Sequence, residues 1–378
     1  MKRITILALH LGYGGIEKCI STLANTLCKN YQVNVISTYK LYEKPSFPID
    51  DRVKITYLIP DLSPSKNEFI DSVKHLKFIK GFQLGITNLK VLYLKKKKMI
   101  EAIKNCDSDV IISTRDIHND WLGKYGDPNI LKIGWEHNHH NNNEEYIKKQ
   151  IESVKQMDYF MPVSQELTDF YADRLSETTV KCRYIPHSLD YIPEKVSDLR
   201  GKSIISVGRL SPEKNYEELI NVFKQLCAED TEWTLNIVGD GVEKEQLNSL
   251  IEEYHLKNRV VLHGFRDKKY IEKLMYQSSI YVMTSLTESF GLVLIEAQSY
   301  GLPCIAYDCA QGAKEIIEDG VNGILIRDYS RERMVNECQK MMQEYEYRKK
   351  IGENGRKSVN KYSCECVEKQ WFEFIDNI

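Results

Sequence analysis

Short β-forming runs alternate with amphipathic helical sequence throughout the second half of this 378-residue chain. Such alternation predicts a parallel sheet whose strands are joined by right-handed crossovers. The six predicted strands are SIISVGR, WTLNIVGDG, VVLHGF, IYVMTS, LPCIAYD and GILI.

The first half alternates in the same way, with strands predicted at KRITILAL, YQVNVIST, DVIISTR, ILKIGW and DYFMPVS. Residues 181–202 carry two prolines and no periodicity, so we place a hinge near Pro186–Arg200. A chain of this length accommodates two domains. We therefore predict an α/β fold of two Rossmann-like, doubly wound parallel-sheet domains, residues 1–188 and 200–357, which face each other across a cleft.

Composition limits the class of protein. The formal net charge is −2, which gives no case for a nucleic-acid partner. The apolar run near the N-terminus breaks at His10 and enters a glycine-rich turn without a cleavage site, so it predicts a buried strand and not a secretory signal. The ten cysteines include no CxxC pair, which favours free thiols and a cytoplasmic location.

Two carboxylates lie eight residues apart in Thr287–Ala297, which reads TESFGLVLIEA. An apolar strand precedes Glu288, and Glu296 is expected roughly two turns into the following helix. In an open parallel sheet, ligands bind where strands end and helices begin. The free N–H groups of the helix start suit a diphosphate, and the second carboxylate can bond a ribose hydroxyl pair.

This segment resembles that of the retaining glycosyltransferases of family 4, which have the two-domain GT-B fold. The resemblance covers most of the chain and is strongest over Ser203–Ile326. It implies that Glu288 faces the donor sugar and that Glu296 holds the ribose. It also implies a C-terminal helix at 358–378 that packs back onto the first domain. The implied donor-binding residues between the two glutamates are Ser289, Phe290, Gly291 and Leu292.

One part of the chain departs from the family pattern. The interdomain sequence IPHSLD, residues 185–190, replaces the commoner Asn-Gly version of that turn. The geometry of the hinge is therefore left open.

Two cations leave the strand-to-helix loop of Ser206–Asn215 together. Arg209 offers a planar fork for phosphate oxygens, and Lys214 offers a mobile point charge. The resemblance implies that both offset the charge of the departing nucleotide, so a divalent metal is unnecessary and no cofactor is expected.

The first domain opens with the glycine-rich loop GYGGIEK, residues 12–18. Its spacing is G-x-G-G, and the second strand ends without an acid for a ribose, which argues against a dinucleotide site. The resemblance implies that the backbone of Gly14 and Gly15 faces the donor phosphates.

Histidines cluster in GWEHNHHNNNEEY, residues 134–146. Their spacing makes a poor tetrahedral metal set, so no metal site is predicted. The resemblance implies that His137 faces the donor sugar, although a structural histidine remains the alternative. His139 and His140 are expected at the surface or on the acceptor side, and His118 is a further cleft candidate.

Lysines recur between Ser72 and Ile100, where there is no acidic residue. With its interleaved apolar residues, the 74–98 segment predicts either a peripheral contact with an anionic membrane surface or a solvated helix over the core. Membrane contact would favour a lipid-linked acceptor.

The function implied by the resemblance is transfer of a sugar, with retention, from a UDP-sugar to a glycan or lipid-linked acceptor in surface polysaccharide synthesis. Two alternatives stay open. One is a sugar-nucleotide epimerase or hydrolase of the same two-domain plan, and the other is a non-catalytic nucleotide-sugar-binding protein.

Overall fold

A computed structural model of the chain describes residues 1–61, 78–229, 232–308 and 311–378. The described residues form two compact units. Unit 1 comprises Met1–Val163, Leu167–Ile185 and Gln370–Ile378, and unit 2 comprises Ser164–Glu166 and Pro186–Lys369.

Unit 1 is built on a seven-stranded, all-parallel sheet in the order β3-β2-β1-β4-β5-β6-β7. The central strand β4 is buried along its whole length, and its neighbours β1 and β5 are buried except at their first residues, as both-face coverage requires. Its strands are β1 (Arg3–Ala8), β2 (Gln32–Tyr39), β3 (Lys54–Ile59), β4 (Val110–Ser113), β5 (Leu131–Trp135), β6 (Tyr159–Met161) and β7 (Lys181–Cys182).

The helices of unit 1 follow the strands, as expected for crossover connections. The first two residues of the last of them group with unit 2. They are α1 (Gly15–Leu27), α2 (Phe78–Lys104), α3 (Asp116–Tyr125), α4 (Glu144–Val154) and α5 (Gln165–Arg174).

Unit 2 holds a six-stranded parallel sheet in the order β10-β9-β8-β11-β12-β13. Its strands are β8 (Ser203–Val207), β9 (Thr234–Val238), β10 (Val260–Leu262), β11 (Ile280–Met283), β12 (Cys304–Tyr307) and β13 (Ile324–Ile326). Its helices are α6 (Tyr216–Glu229), α7 (Lys244–Glu253), α8 (Lys268–Gln277), α9 (Leu292–Ser299), α10 (Gln311–Ile316), α11 (Arg331–Gln343) and α12 (Tyr345–Ser358).

The last helix, α13 (Cys364–Asp376), ends in unit 1. Buried Trp371 packs edge-on against Trp135 of β5, with ring centroids 5.6 Å apart. The hydroxyl of Tyr31 donates a hydrogen bond to Asp376 at 2.7 Å. The helix begins six residues later than the expected 358, because a 3₁₀ turn at Val359–Tyr362 separates it from α12.

The boundaries of the units differ from those expected at 188 and 200. Unit 1 ends at Ile185 and resumes at Gln370, so unit 2 takes in the whole hinge region. All eleven predicted strands are present, whereas β3 and β7 were missed because β3 is half-buried and β7 is only two residues long. No helix in the described ranges is long and apolar enough to cross a membrane.

Candidate active site

The two-glutamate segment joins β11 to α9 at the carboxyl edge of the unit 2 sheet. Gly291 caps α9 with φ at +90°, a left-handed conformation that favours glycine. Phe290 beside it is buried. Glu296 is the fifth residue of α9, so it lies just over one turn into the helix and not two, because the helix begins only after this glycine.

Glu288 meets Lys214, which comes from the loop after β8. Their side chains form an ion pair in which the lysine is 21% and the glutamate 16% exposed. Strands β8 and β11 are neighbours in the sheet, so their carboxyl ends bring the two loops together. The hydroxyl of Ser285 lies 3.5 Å from the same carboxylate oxygen.

The loop that carries Lys214 is fixed to β11 by a second contact. A 3₁₀ turn at Pro212–Lys214 ends in Asn215, whose φ is +52°. The hydroxyl of Thr284 donates to the carbonyl oxygen of Asn215 at 3.0 Å. The lysine therefore sits on a braced turn and not on a loose surface loop.

Arg209 is exposed at the start of the same loop and makes no salt bridge with any residue in the described ranges. The neighbouring carboxyl of Glu213 reports the local charge. Burial acts to raise its pKa, yet the pKa is lowered by a hydrogen bond from Ser211 and by the charges of Arg209 and Lys214. The two cations of this loop thus act on the same carboxyl.

His187 lies in the interdomain sequence IPHSLD, which departs from the family pattern, and it contacts the two-glutamate segment. Its ring packs edge-on against Phe290 at 5.3 Å, and burial lowers its pKa to about 4. Sequence reasoning noted the departure but not this contact, since the two residues are about a hundred positions apart.

In unit 1, Gly14 caps α1 and Gly15 begins it. A β-carbon on Gly14 would lie 2.1 Å from a carboxylate oxygen of Glu17, whereas one on Gly15 would have nothing within 4 Å. A side chain at position 14 would therefore displace the Glu17 carboxylate, whereas position 15 has room for one.

Sequence reasoning missed Glu17. This buried carboxylate lies in the first turn of α1 and forms a 3.0 Å salt bridge with Arg115, with His10 at 3.5 Å. A negative charge already occupies this helix start, so a donor phosphate there would depend on Arg115 for balance.

The loop after β5 is organised by Glu136. Its buried carboxylate accepts the backbone N–H groups of His137 and Asn138 at 2.8 and 2.7 Å, and the side-chain amide of Gln150. Burial raises the pKa of Glu136. His137 is buried, with its ring 4.2 Å from that of Trp135.

The other two histidines of this loop serve the backbone. The Nδ1 atoms of His139 and His140 accept the N–H groups of Asn141 and Asn142 at 2.8 and 2.9 Å. His140 is buried against Phe170, so the expectation of a surface group is wrong for it.

His118 does not line a cleft. It is 0% exposed beside Trp121, and burial lowers its pKa to about 3. The expectation of a cleft histidine is wrong because α3 turns this side chain into the core.

The chain contains one Asp-x-Asp triplet, at Asp107–Asp109. Both carboxylates bond Arg3. The guanidinium of Arg3 pairs with Asp107, and the backbone N–H of Arg3 donates to Asp109 at 2.7 Å. The triplet precedes β4, at the amino edge of the sheet, opposite the edge where α1 begins. It is a structural feature of unit 1.

The predicted site residues thus fall into two sets. Unit 2 holds Arg209, Lys214, Glu288, Glu296 and Ser289–Leu292 at one sheet edge, and unit 1 holds Gly14, Gly15 and His137 at the carboxyl ends of its own strands.

Comparison with known proteins places the chain near a described family. Residues 190–358 match the family described as glycosyl transferases group 1. The expected resemblance to glycosyltransferases is confirmed at the level of that group.

Two curated relatives match most of the chain. The first is a Campylobacter jejuni N-acetylgalactosamine-N,N'-diacetylbacillosaminyl-diphospho-undecaprenol 4-alpha-N-acetylgalactosaminyltransferase, 27% identical over 92% of each chain. The second is an exopolysaccharide phosphotransferase of Streptomyces coelicolor, 24% identical over 97% of this chain, which spans only 39% of that protein's length.

The solved structure of Anabaena HepE, a complex with UDP and glucose, aligns over all of both chains with a TM-score of 0.72 at 19% identity. This likeness concerns the fold. With the two parallel sheets, it confirms the predicted GT-B fold class.

Proposed function

We propose that this chain, whose residues 190–358 match the group 1 glycosyl transferases, moves a sugar from a nucleotide-sugar donor to a glycan or lipid-linked acceptor with retention at the anomeric carbon. The observation that carries the proposal is the Lys214–Glu288 pair at the carboxyl edge of the unit 2 sheet, inside the matched region. A cation for a diphosphate and an acid for sugar hydroxyls are held side by side there.

In the proposed reaction, Lys214 exchanges its bond to Glu288 for the donor diphosphate, and Arg209 adds the second positive charge. The freed Glu288 accepts hydrogen bonds from sugar hydroxyls, and Glu296 holds the ribose. The donor is therefore bound by an exchange of partners within a braced pair.

The acceptor hydroxyl attacks the anomeric carbon from the same face of the sugar as the one from which the leaving group departs. The bond from that carbon to the phosphate oxygen breaks, and the acceptor proton passes to the leaving oxygen. The protein acts by orientation and by electrostatic stabilisation from its own two cations, so the proposal needs neither a divalent metal nor a cofactor. His137 of unit 1 is assigned to the reacting sugar.

A UDP-sugar is the proposed donor, supported by the UDP and glucose in the HepE crystal. A glycan or a polyprenyl-diphosphate-linked sugar is the proposed acceptor, supported by the name of the Campylobacter relative. A lipid-linked acceptor would place the enzyme at the inner face of the membrane, in surface polysaccharide synthesis.

An epimerase or hydrolase of the same plan would need an acid and base set in unit 1. The Nδ1 atoms of His139 and His140 accept backbone N–H groups, so these two nitrogens do not serve as that set. A non-catalytic nucleotide-sugar-binding protein could keep the fold while losing Glu288 or Lys214, and both residues are present here.

Thermal unfolding with UDP, GDP, ADP and NAD tests the donor. A ligand at ~100 times its dissociation constant adds roughly 2.7 kcal/mol to the free energy of unfolding, which is a visible shift in Tm. Stabilisation by UDP supports the proposal, and stabilisation by NAD alone would reject it. NMR of the product formed from a UDP-sugar then separates transfer from epimerisation and hydrolysis.

A further inference from the structure

Helix α2 has an inner face that attaches it to the sheet of unit 1. Val91, Met99 and Ile103 are fully buried along it. Val91 packs in one cluster with Tyr39 of β2 and Ile59 of β3. This stripe is sufficient to hold the helix on the protein.

The opposite face of α2 is also apolar. Ile86, Leu89 and Tyr93 are three and four residues apart, so they share one side of the helix. They are 53%, 68% and 65% exposed. Three large apolar side chains on one outer face are more than the scattered exposure that is normal for a protein surface.

Lysines flank these side chains. Lys90, Lys96 and Lys97 are exposed on the same stretch of helix. Lys95 is turned inward instead, with its ammonium 5.9 Å from the ring of Trp121. Lys98 pairs with Glu101 at 3.2 Å, so the lysine run is divided between the core side and the outer side.

The stretch from Ser72 to Ile100 carries positive charge only. Eight lysines and no Asp or Glu occur between Ser72 and Ile100. The residues of this stretch that precede Phe78 lie outside the described ranges.

We propose that the outer face of α2, formed by Ile86, Leu89, Tyr93, Lys90, Lys96 and Lys97, binds an anionic lipid surface. The apolar side chains would enter the boundary between headgroups and acyl chains, and the lysines would contact lipid phosphates. Within the 74–98 segment, the part from Ile86 to Lys98 is thereby divided into a core face and a lipid face.

Charge complementarity favours this occupant over two others. A symmetric contact with a second copy would place the two sets of lysines together. A nucleic acid would use the lysines and leave the apolar centre without a partner. An anionic lipid surface satisfies both parts of the face.

The inference rests on the proposed function for its purpose, which is to bring the enzyme to a lipid-linked acceptor. Lipid binding itself needs neither donor nor acceptor. It is measured separately from UDP binding, so failure of one is distinguishable from failure of the other.

The test is co-sedimentation of the full chain with vesicles of phosphatidylcholine alone and with about one third phosphatidylglycerol. The wild type should bind the anionic vesicles, and less as salt rises. Lys90→Glu/Lys96→Glu/Lys97→Glu should weaken this binding more than about tenfold. Leu89→Ser/Tyr93→Ser should weaken it while keeping the charge.

The matched control is Lys195→Glu/Lys269→Glu/Lys350→Glu, which changes net charge equally at exposed positions of unit 2. This variant should bind as the wild type does, and all variants should retain the wild-type Tm and UDP response. Equal loss in both triple variants, or no wild-type binding to anionic vesicles, overturns the proposal. A third outcome also overturns it: the wild type is a dimer that does not bind vesicles, and Leu89→Ser/Tyr93→Ser converts it to a monomer.

Discussion

The ammonium of Lys214 and the carboxylate of Glu288 are bonded to each other at the ends of two adjacent strands, 74 positions apart in sequence. Each group is thus neutralised by the other before any substrate binds. The pair keeps both side chains in position at an edge that would otherwise hold an unbalanced charge, and a donor with complementary charges can take its place.

Replacing either member should affect turnover far more than stability. Lys214→Ala should lower kcat by about a hundredfold or more, the size seen when a transition-state stabilising group is removed. Glu288→Gln should also lower kcat, and the double variant should be less impaired than the product of the two single effects. The free energy of unfolding should fall by no more than about 1 kcal/mol, because the pair is partly exposed.

The control is Lys257→Ala, since Lys257 pairs with Glu252 at 2.7 Å elsewhere in unit 2. Its kinetics should equal those of the wild type. Strict additivity of Lys214→Ala and Glu288→Gln would contradict a shared role.

Glu296 and Arg209, the other two charged residues assigned to the donor, should affect different kinetic parameters when they are replaced. Glu296→Ala should raise the KM for the donor about tenfold or more, because a charge-assisted hydrogen bond contributes about 1.5–3 kcal/mol. Arg209→Ala should chiefly lower kcat. Steady-state kinetics measure both, with Glu253→Ala as an exposed carboxylate control, and unchanged values in both variants would remove these assignments.

Adjacent glycines of the first loop should respond differently to alanine. Gly14→Ala places a methyl group against Glu17 and should disturb the Glu17–Arg115 salt bridge. Gly15→Ala enters open space and should leave the free energy of unfolding unchanged or raise it by up to about 1 kcal/mol. Thermal unfolding of the two variants decides this, and equal destabilisation would show that the loop needs both glycines.

Glu136 should make stability depend on pH in a definite direction. Burial raises its folded-state pKa, so its contribution to folding is present below the unfolded pKa and is lost as pH rises through the folded pKa. Glu136→Gln cannot ionise, so the Tm of this variant minus that of the wild type should increase between about pH 4 and pH 8.

Glu136→Ala gives the complementary result. It leaves the N–H groups of His137 and Asn138 without their acceptor and should destabilise by about 2 kcal/mol near pH 4, a difference that should shrink as pH rises because alanine cannot ionise either. A constant Tm difference for Glu136→Gln would mean that Glu136 titrates normally.

His118 should act in the opposite sense. Its pKa falls from 6.5 to about 3 on burial, so the stability it permits is fully present above 6.5 and is lost as pH falls towards 3. Neither of its ring nitrogens has a hydrogen-bond partner in the described part of the chain. His118→Leu or His118→Phe should therefore keep or raise the Tm at neutral pH and reduce its fall in acid, measured by unfolding between about pH 4 and pH 7.

The sequence predicted those features that depend on neighbours along the chain. Strands such as β8 and β11 are apolar runs that end in glycine or polar residues, and the helix after Gly291 begins where the turn residues stop. Pairings across the fold were not predictable in the same way. Glu17 meets Arg115 across 98 positions, and no local pattern distinguishes it from any acidic residue in the first turn of a helix.

The roles of the histidines in the loop after β5 were also not predictable from the sequence. Its composition suggested ligands or acceptor contacts, whereas its geometry shows His139 and His140 holding backbone N–H groups. Backbone conformation decided this use, because Asn141 and Asn142 both adopt positive φ.

Residues 370–378 belong to unit 1, and this sets the order in which the two units can be completed during synthesis. During synthesis, the ribosome makes Met1–Ile185 first and these residues only after all of unit 2. Until residues 370–378 leave the ribosome, Trp135 lacks its contact with Trp371, and part of the apolar surface of unit 1 stays uncovered. Unit 2 has every one of its strands before that moment, so the domain that starts first is the one that finishes last.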